Sequence, residues 1–83
     1  MKLLIQESSK HDRVLNPNYI GCITETDRLG IAHCVQFFNR KDGKITAKYF
    51  KNEKHTAFDE LPETSRLNIM DKTKQKGWIP ETV

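Results

Sequence analysis

The stretch from Ile31 to Phe50 constrains the fold more than any other part of this chain. Ile31-Ala32-His33-Cys34-Val35-Gln36-Phe37-Phe38 and Ile45-Thr46-Ala47-Lys48-Tyr49-Phe50 are two runs rich in β-branched and aromatic residues, separated by a polar segment that ends in Asp42-Gly43. Asp-Gly between two such runs predicts a β-hairpin, because glycine accepts the positive φ that a tight turn needs. If Asp42-Gly43 closes a four-residue turn, Asn39 faces Lys44, and Phe38 pairs with Ile45, Gln36 with Ala47 and Cys34 with Tyr49 on one face. Phe37 with Thr46, Val35 with Lys48 and His33 with Phe50 then occupy the other face, since successive strand side chains alternate. Aromatics project from both sides.

The flanking segments extend this unit. Tyr19 to Thr26 predicts a preceding strand, bounded by Asn16-Pro17-Asn18 and by Asp27-Arg28-Leu29-Gly30. Carried across, the register puts Tyr19 and Ile23 with the first face and Ile20 and Cys22 with the second. Residues 2 to 5 suit a short strand or an extended arm, and residues 51 to 56 a polar connection. Pro62 fits the first turn of a helix running to about Lys76, with Glu63 early, Lys72, Lys74 and Lys76 late, and Gly77 at the end, the order that the helix dipole and C-capping favour. Leu67 and Met70 mark its apolar face. The expected fold class is α+β: a three- to four-stranded antiparallel sheet in meander order with one C-terminal helix packed on one face. The 83 residues fit a single small domain, 1–83, with Met1 and the tail 79–83 frayed.

That architecture has an imbalance. One helix with a narrow stripe covers one sheet face, and an uncovered apolar face marks an interaction surface or a dimer interface. The competing expectation is that residues 2 to 15 fold back and bury that face with Leu3, Leu4, Ile5, Val14 and Leu15.

Charge is unevenly spread behind a net charge of +3. Residues 37–56 carry +4 through Arg40, Lys41, Lys44, Lys48, Lys51 and Lys54, whereas residues 57–71 carry −3. Lysines interleaved with aromatics on a sheet are the residue types that hold a phosphate backbone and stack bases, and they equally suit an acidic protein surface. The expected binding residues are Phe37, Arg40, Lys41, Lys44, Lys48, Phe50 and Lys51. A solvated hairpin that uses edge lysines to prevent aggregation has the same composition.

Catalytic and metal chemistry find little support. Cys22, His33, Cys34, His11 and His55 match no paired-ligand spacing, so no metal and no cofactor are expected. In the register above Cys22 and Cys34 face opposite ways and remain separate thiols, and a slip of one residue would make a bridge possible. There is no glycine loop for phosphate and no nucleophile elbow, and an enzyme would require a cleft joining His33 or His55 to a carboxylate. Leu61-Pro62-Glu63-Thr64-Ser65, Asn16-Pro17-Asn18-Tyr19 and Glu81-Thr82-Val83 resemble a sortase signal, an NPxY peptide and a PDZ ligand, each short enough to arise by chance.

No signal peptide and no apolar run of about 20 residues is present, so a soluble protein of the reducing cytoplasm is expected, without a membrane partner. In size, polarity and lack of catalytic groups the chain resembles, in kind only, the accessory proteins of phages and mobile elements, including anti-defence inhibitors such as anti-CRISPR proteins. The implied function is a non-catalytic regulator or inhibitor that blocks a site on a larger protein or nucleoprotein complex. The alternative is direct binding of DNA or RNA through a basic, aromatic sheet face.

Overall fold

A computed structural model describes residues 2–80 and contains a five-stranded antiparallel sheet with one long helix on one face. The strands follow chain order: β1 (Lys2–Glu7), β2 (Tyr19–Thr26), β3 (Ala32–Asn39), β4 (Ile45–Lys51) and β5 (Lys54–Thr56). A short helix α1 (Lys10–Leu15) links β1 to β2, a 3-10 turn covers Phe58–Glu60, and α2 (Glu63–Lys76) follows. The α+β class is as expected, with residues 2 to 5 within the strand β1 and one further strand, β5, formed within residues 51 to 56, the segment expected as a polar connection. Met1 and the motif Glu81-Thr82-Val83 lie outside the described residues.

The two unexpected elements, β5 and α1, have local causes. Asn52 and Glu53 adopt φ of 48° and 69°, the pair of positive values that a two-residue primed turn requires, and this turns β4 back into β5. In α1, the Ser9 hydroxyl accepts from the Asp12 amide at 3.1 Å while the Asp12 carboxylate accepts from the Ser9 amide at 2.9 Å. This reciprocal capping box starts a helix inside a stretch too polar to suggest one.

The β3–β4 register is offset by one residue from expectation. Phe37 pairs with Ala47, Val35 with Tyr49 and His33 with Lys51, while Cys34 faces Phe50, Gln36 faces Lys48 and Phe38 faces Thr46. The turn sets the offset. Gly43 takes φ 82°, its amide donates to the Arg40 carbonyl at 3.0 Å, and the Arg40 amide donates to the Lys44 carbonyl at 2.7 Å. The left-handed glycine forms a bulge that adds one residue to the loop, so Asn39 pairs with Ile45 instead of Lys44.

A second irregularity lies in β2. Tyr19 pairs with Phe38 but Gly21 pairs with Phe37, which leaves Ile20 as an extra residue. The bulge reverses the alternation, so Tyr19 and Cys22 share one face and Ile23 takes the other, a correction to the expected grouping of Tyr19 with Ile23. Glycine is needed beside it: a Cβ at Gly21 would lie 2.5 Å from the Gln6 carbonyl oxygen and 2.7 Å from Cη2 of Trp78.

The core lies between the sheet and α2. Ile23, Val35, Phe37 and Tyr49 from the strands pack with Leu61, Ile69 and Trp78, and Leu3 and Ile5 of β1 extend the cluster. The helix presents Ser65, Ile69 and Thr73 with Met70 half-buried beside them, whereas Leu67, expected on the same face as Met70, is 61% exposed. Its rotation follows from a buried acid: Glu25 accepts from Ser65 Oγ at 2.6 Å and from Asn68 Nδ2 at 2.8 Å. Burying a carboxylate without such donors is costly, and the polar helix positions are turned inward to meet it. Pro62 sits at the N-cap, and Gly77, at φ 73°, ends the helix as expected.

Candidate binding face

The face of the sheet opposite α2 is built by the even-numbered side chains of β1, β3 and β4, by those of β2 beyond its bulge, and by Tyr19 and His55. The N-terminal segment does not fold across it. Leu3 and Ile5 point to the helix side and only Leu4 points to the open side, where it is 48% exposed, while Val14 and Leu15 are 75% and 74% exposed. Two aromatic groupings lie on the open face. Tyr19 and Phe38 have ring centroids 5.5 Å apart and Lys48 Nζ lies 5.1 Å above the Phe38 ring; farther along, Phe50 and His55 are 5.3 Å apart.

Its electrostatics are one-sided. No described strand residue on this face is acidic, because Glu7 and Glu25 both point to the helix side, where Glu7 pairs with Lys76 and Glu25 with Ser65. Asp12 of α1 is the carboxylate whose charge reaches Tyr19 and Cys22. The Arg40–Lys44 turn carries three basic side chains at one end of the sheet, with Arg40 held against Asp42 at 2.9 Å.

The expected binding residues therefore separate. Lys48 and Phe50 lie on the open face, and Arg40, Lys41 and Lys44 lie in the adjoining turn. Phe37 does not reach a surface: it is 1% exposed and packs against Trp78 with centroids 5.4 Å apart, so it is a core residue. Lys51 pairs with His33 and points to the helix side, about 20 Å along β4 from the turn. The one-residue offset exchanged Phe38 for Phe37, and the bulge brought Tyr19 to the face. Gly43 and Gly21 were the visible signals for both.

The same face holds a thiol pair. Thr24 pairs with Cys34 and Cys22 with Gln36, so the cysteines are diagonal neighbours pointing the same way, both free, contrary to the expected opposite orientation. Cys22 Sγ lies 3.6 Å from Gln6 Oε1. Hydrogen bonds from Cys34, and then from Tyr19 and Thr24, draw the Cys22 thiol down to about 6 against the opposing effect of burial. Cys34 and Tyr19 are both pushed up, Cys34 by its bond to Cys22 and Tyr19 chiefly by burial.

On the helix side the structure does join His33 to a carboxylate. His33 Nε2 lies 2.9 Å from Asp27 Oδ2 and Nδ1 lies 2.7 Å from the Tyr49 hydroxyl, while Asp27 Oδ1 accepts from the Leu29 and Ile31 amides. The relay ends inside the core, since Tyr49 is 0% exposed and His33 1% exposed. Burial pushes the Tyr49 phenol up, which suits a hydroxyl donating to imidazole. Its evident effect is to pin the β2–β3 turn to β4. Among the described residues no group of three or more His, Cys, Asp or Glu side chains is placed to hold a metal ion, and no helix is long and apolar enough to cross a membrane. No protein-family model, curated protein sequence or solved structure matches this chain.

Proposed function

We propose that this chain is a non-catalytic binding protein that acts by occupation, docking its open sheet face and the adjoining basic turn on a larger protein or nucleoprotein complex and blocking a site there. The supporting observation is the uncovered face itself, with Tyr19, Phe38 and Lys48 in one cluster, Phe50 and His55 in a second, and no acidic strand residue among those described. Flat aromatic rings supply contact area at low conformational cost, and the lysines select an acidic or phosphate-bearing surface. Regulators and anti-defence inhibitors of phages and mobile elements work in this way, and this reading puts the chain in the reducing cytoplasm.

A second reading is direct nucleic-acid binding, favoured by the position of Lys48 over Phe38: a cation beside an open ring suits a phosphate next to a stacked base. Salt separates the two. Lysine–phosphate contacts weaken linearly on a logarithmic salt scale, whereas an apolar protein interface responds weakly.

The test is affinity capture from a host lysate with the wild-type chain and with Lys44→Glu/Lys48→Glu, followed by mass spectrometry and by salt titration of the captured complex. A partner held by the wild type and released by the double reversal supports the face as the docking site. Retention of the same partner by both chains would move the site off this face. A gel shift at low salt without a complex would remove the nucleic-acid reading.

A further inference from the structure

We propose that Cys22 and Cys34 form an oxidisable dithiol on the open face, in which a peroxide converts the pair to an intramolecular disulfide. The sheet register places the two side chains diagonally across β2 and β3, on the side that α2 does not cover. Diagonal Cα atoms on adjacent antiparallel strands are about 7–8 Å apart, and a disulfide spans up to about 6.8 Å, so closure requires a small approach of the strands and no refolding. The bulge between Tyr19 and Gly21, next to Cys22 in the chain, is where the ladder is already interrupted.

The roles of the two sulfurs differ. Cys22 receives hydrogen bonds from Cys34, Tyr19 and Thr24, which stabilise its thiolate, the nucleophilic form. The Cys22 thiol, while it keeps its proton, donates to Gln6 Oε1 at 3.6 Å, a contact that orients the sulfur toward β1. Cys34, pushed up by its bond to Cys22, is the resolving thiol; it is half-buried and Cys22 is 7% exposed, so peroxide reaches the pair from the open face past Cys34.

The steps balance with hydrogen peroxide as the oxidant. The Cys22 thiolate attacks one peroxide oxygen, the O–O bond breaks, and the departing oxygen leaves as hydroxide and is protonated to water, giving a sulfenic acid. With Cys22 no longer a thiolate, Cys34 loses the pressure that held its proton. Its sulfur attacks Cys22, the S–O bond breaks, and the hydroxide released takes the Cys34 proton to become a second water. Two thiols are oxidised by two electrons and one peroxide is reduced. The chemistry is independent of what docks on the face.

The experiment treats the full chain with hydrogen peroxide and reads the intact mass and the non-reduced peptide map. The expected product has lost two hydrogens, no longer reacts with iodoacetamide, and links Cys22 to Cys34 within one chain. In Cys34→Ser, Cys22 should accumulate as a sulfenic acid trapped by dimedone, whereas Cys22→Ser should leave Cys34 slow to react. As a check that needs no variant, the alkylation rate of the wild type should rise with pH through a midpoint near the low value of Cys22. Sulfonic acids or intermolecular dimers without the internal link would overturn the proposal, as would an alkylation midpoint in the ordinary thiol range.

Discussion

Glu25 and Ser65, 40 residues apart in sequence, meet at 2.6 Å beneath α2, and this bond fixes which side of the helix faces the sheet. Both residues are nearly inaccessible, at 2% and 3% exposure. Removing the hydroxyl leaves a buried carboxylate oxygen short of a donor, so Ser65→Ala should cost about 1–3 kcal/mol in urea unfolding. The same substitution made in a Glu25→Met background should be close to neutral, because the group it served is gone. Equal costs in both backgrounds would mean that the two side chains are not coupled.

Gly21 should be intolerant of even one added carbon. The new methyl would meet the Gln6 carbonyl at 2.5 Å, which is backbone of the neighbouring strand, and Trp78 at 2.7 Å, which is locked against Phe37. Neither contact relaxes cheaply, so Gly21→Ala should destabilise by about 1–3 kcal/mol. Trp78 fluorescence during denaturant unfolding reports both the lost stability and any displacement of the indole. A wild-type midpoint would show that β1 or the indole moves aside without cost.

The hairpin, the central strands and the boundaries of α2 were legible because each is encoded locally: Asp42-Gly43, the β-branched and aromatic runs, and the acidic start, basic end and glycine stop of the helix. The facing of side chains was not, because it depends on single residues that shift parity. One left-handed glycine moved the β3–β4 register and one extra residue at Ile20 moved the start of β2, and together they decided that Phe38 and Tyr19 share the open face while Phe37 lies in the core. The helix stripe was misplaced for a different reason. Leu67 outranks Ser65 on any hydropathy argument, and only the buried Glu25, a tertiary feature, makes a serine the better inward residue.

Acid should act partly through Asp27. Its carboxyl is held below the ordinary 3.8, first by the hydrogen bond with His33 and then by the amides of Ile31 and Leu29. In the unfolded chain the same group takes up a proton at the higher, ordinary value, so protonation favours unfolding. The contribution is complete above that value and is lost as the pH falls through the lower folded one. Asp27→Asn should therefore lower the urea midpoint at neutral pH and give a shallower decline toward about pH 3 than the wild type. Glu7, lowered by Lys76, and Asp12, lowered by Ser9, add to the decline in both proteins, so the difference between the two curves isolates Asp27. Parallel curves would mean that the Asp27–His33 bond contributes nothing in solution.

Phe37 and Phe38 are adjacent in sequence and should behave as opposites. Phe37 is 1% exposed against Trp78 and the core, so Phe37→Ala removes a filled volume and should cost about 3–5 kcal/mol, enough to unfold most of a domain this small. Phe38 touches only the open-face neighbours Tyr19 and Lys48 among the ring contacts described, at 5.5 and 5.1 Å. Its truncation should cost about 1–2 kcal/mol, the scale of one half-buried aromatic pair and one cation–π contact with an exposed lysine. If the open face is the docking surface, Phe38→Ala should nevertheless weaken partner capture at least as much as Lys48→Glu, because the ring supplies the contact area on which the lysine is poised. Circular dichroism and urea melts give the stability comparison, and capture by the folded Phe38→Ala chain gives the binding one. A folded Phe38→Ala protein that still captures the partner at full strength would leave the rings without a role in binding and direct the search to the Arg40–Lys44 turn.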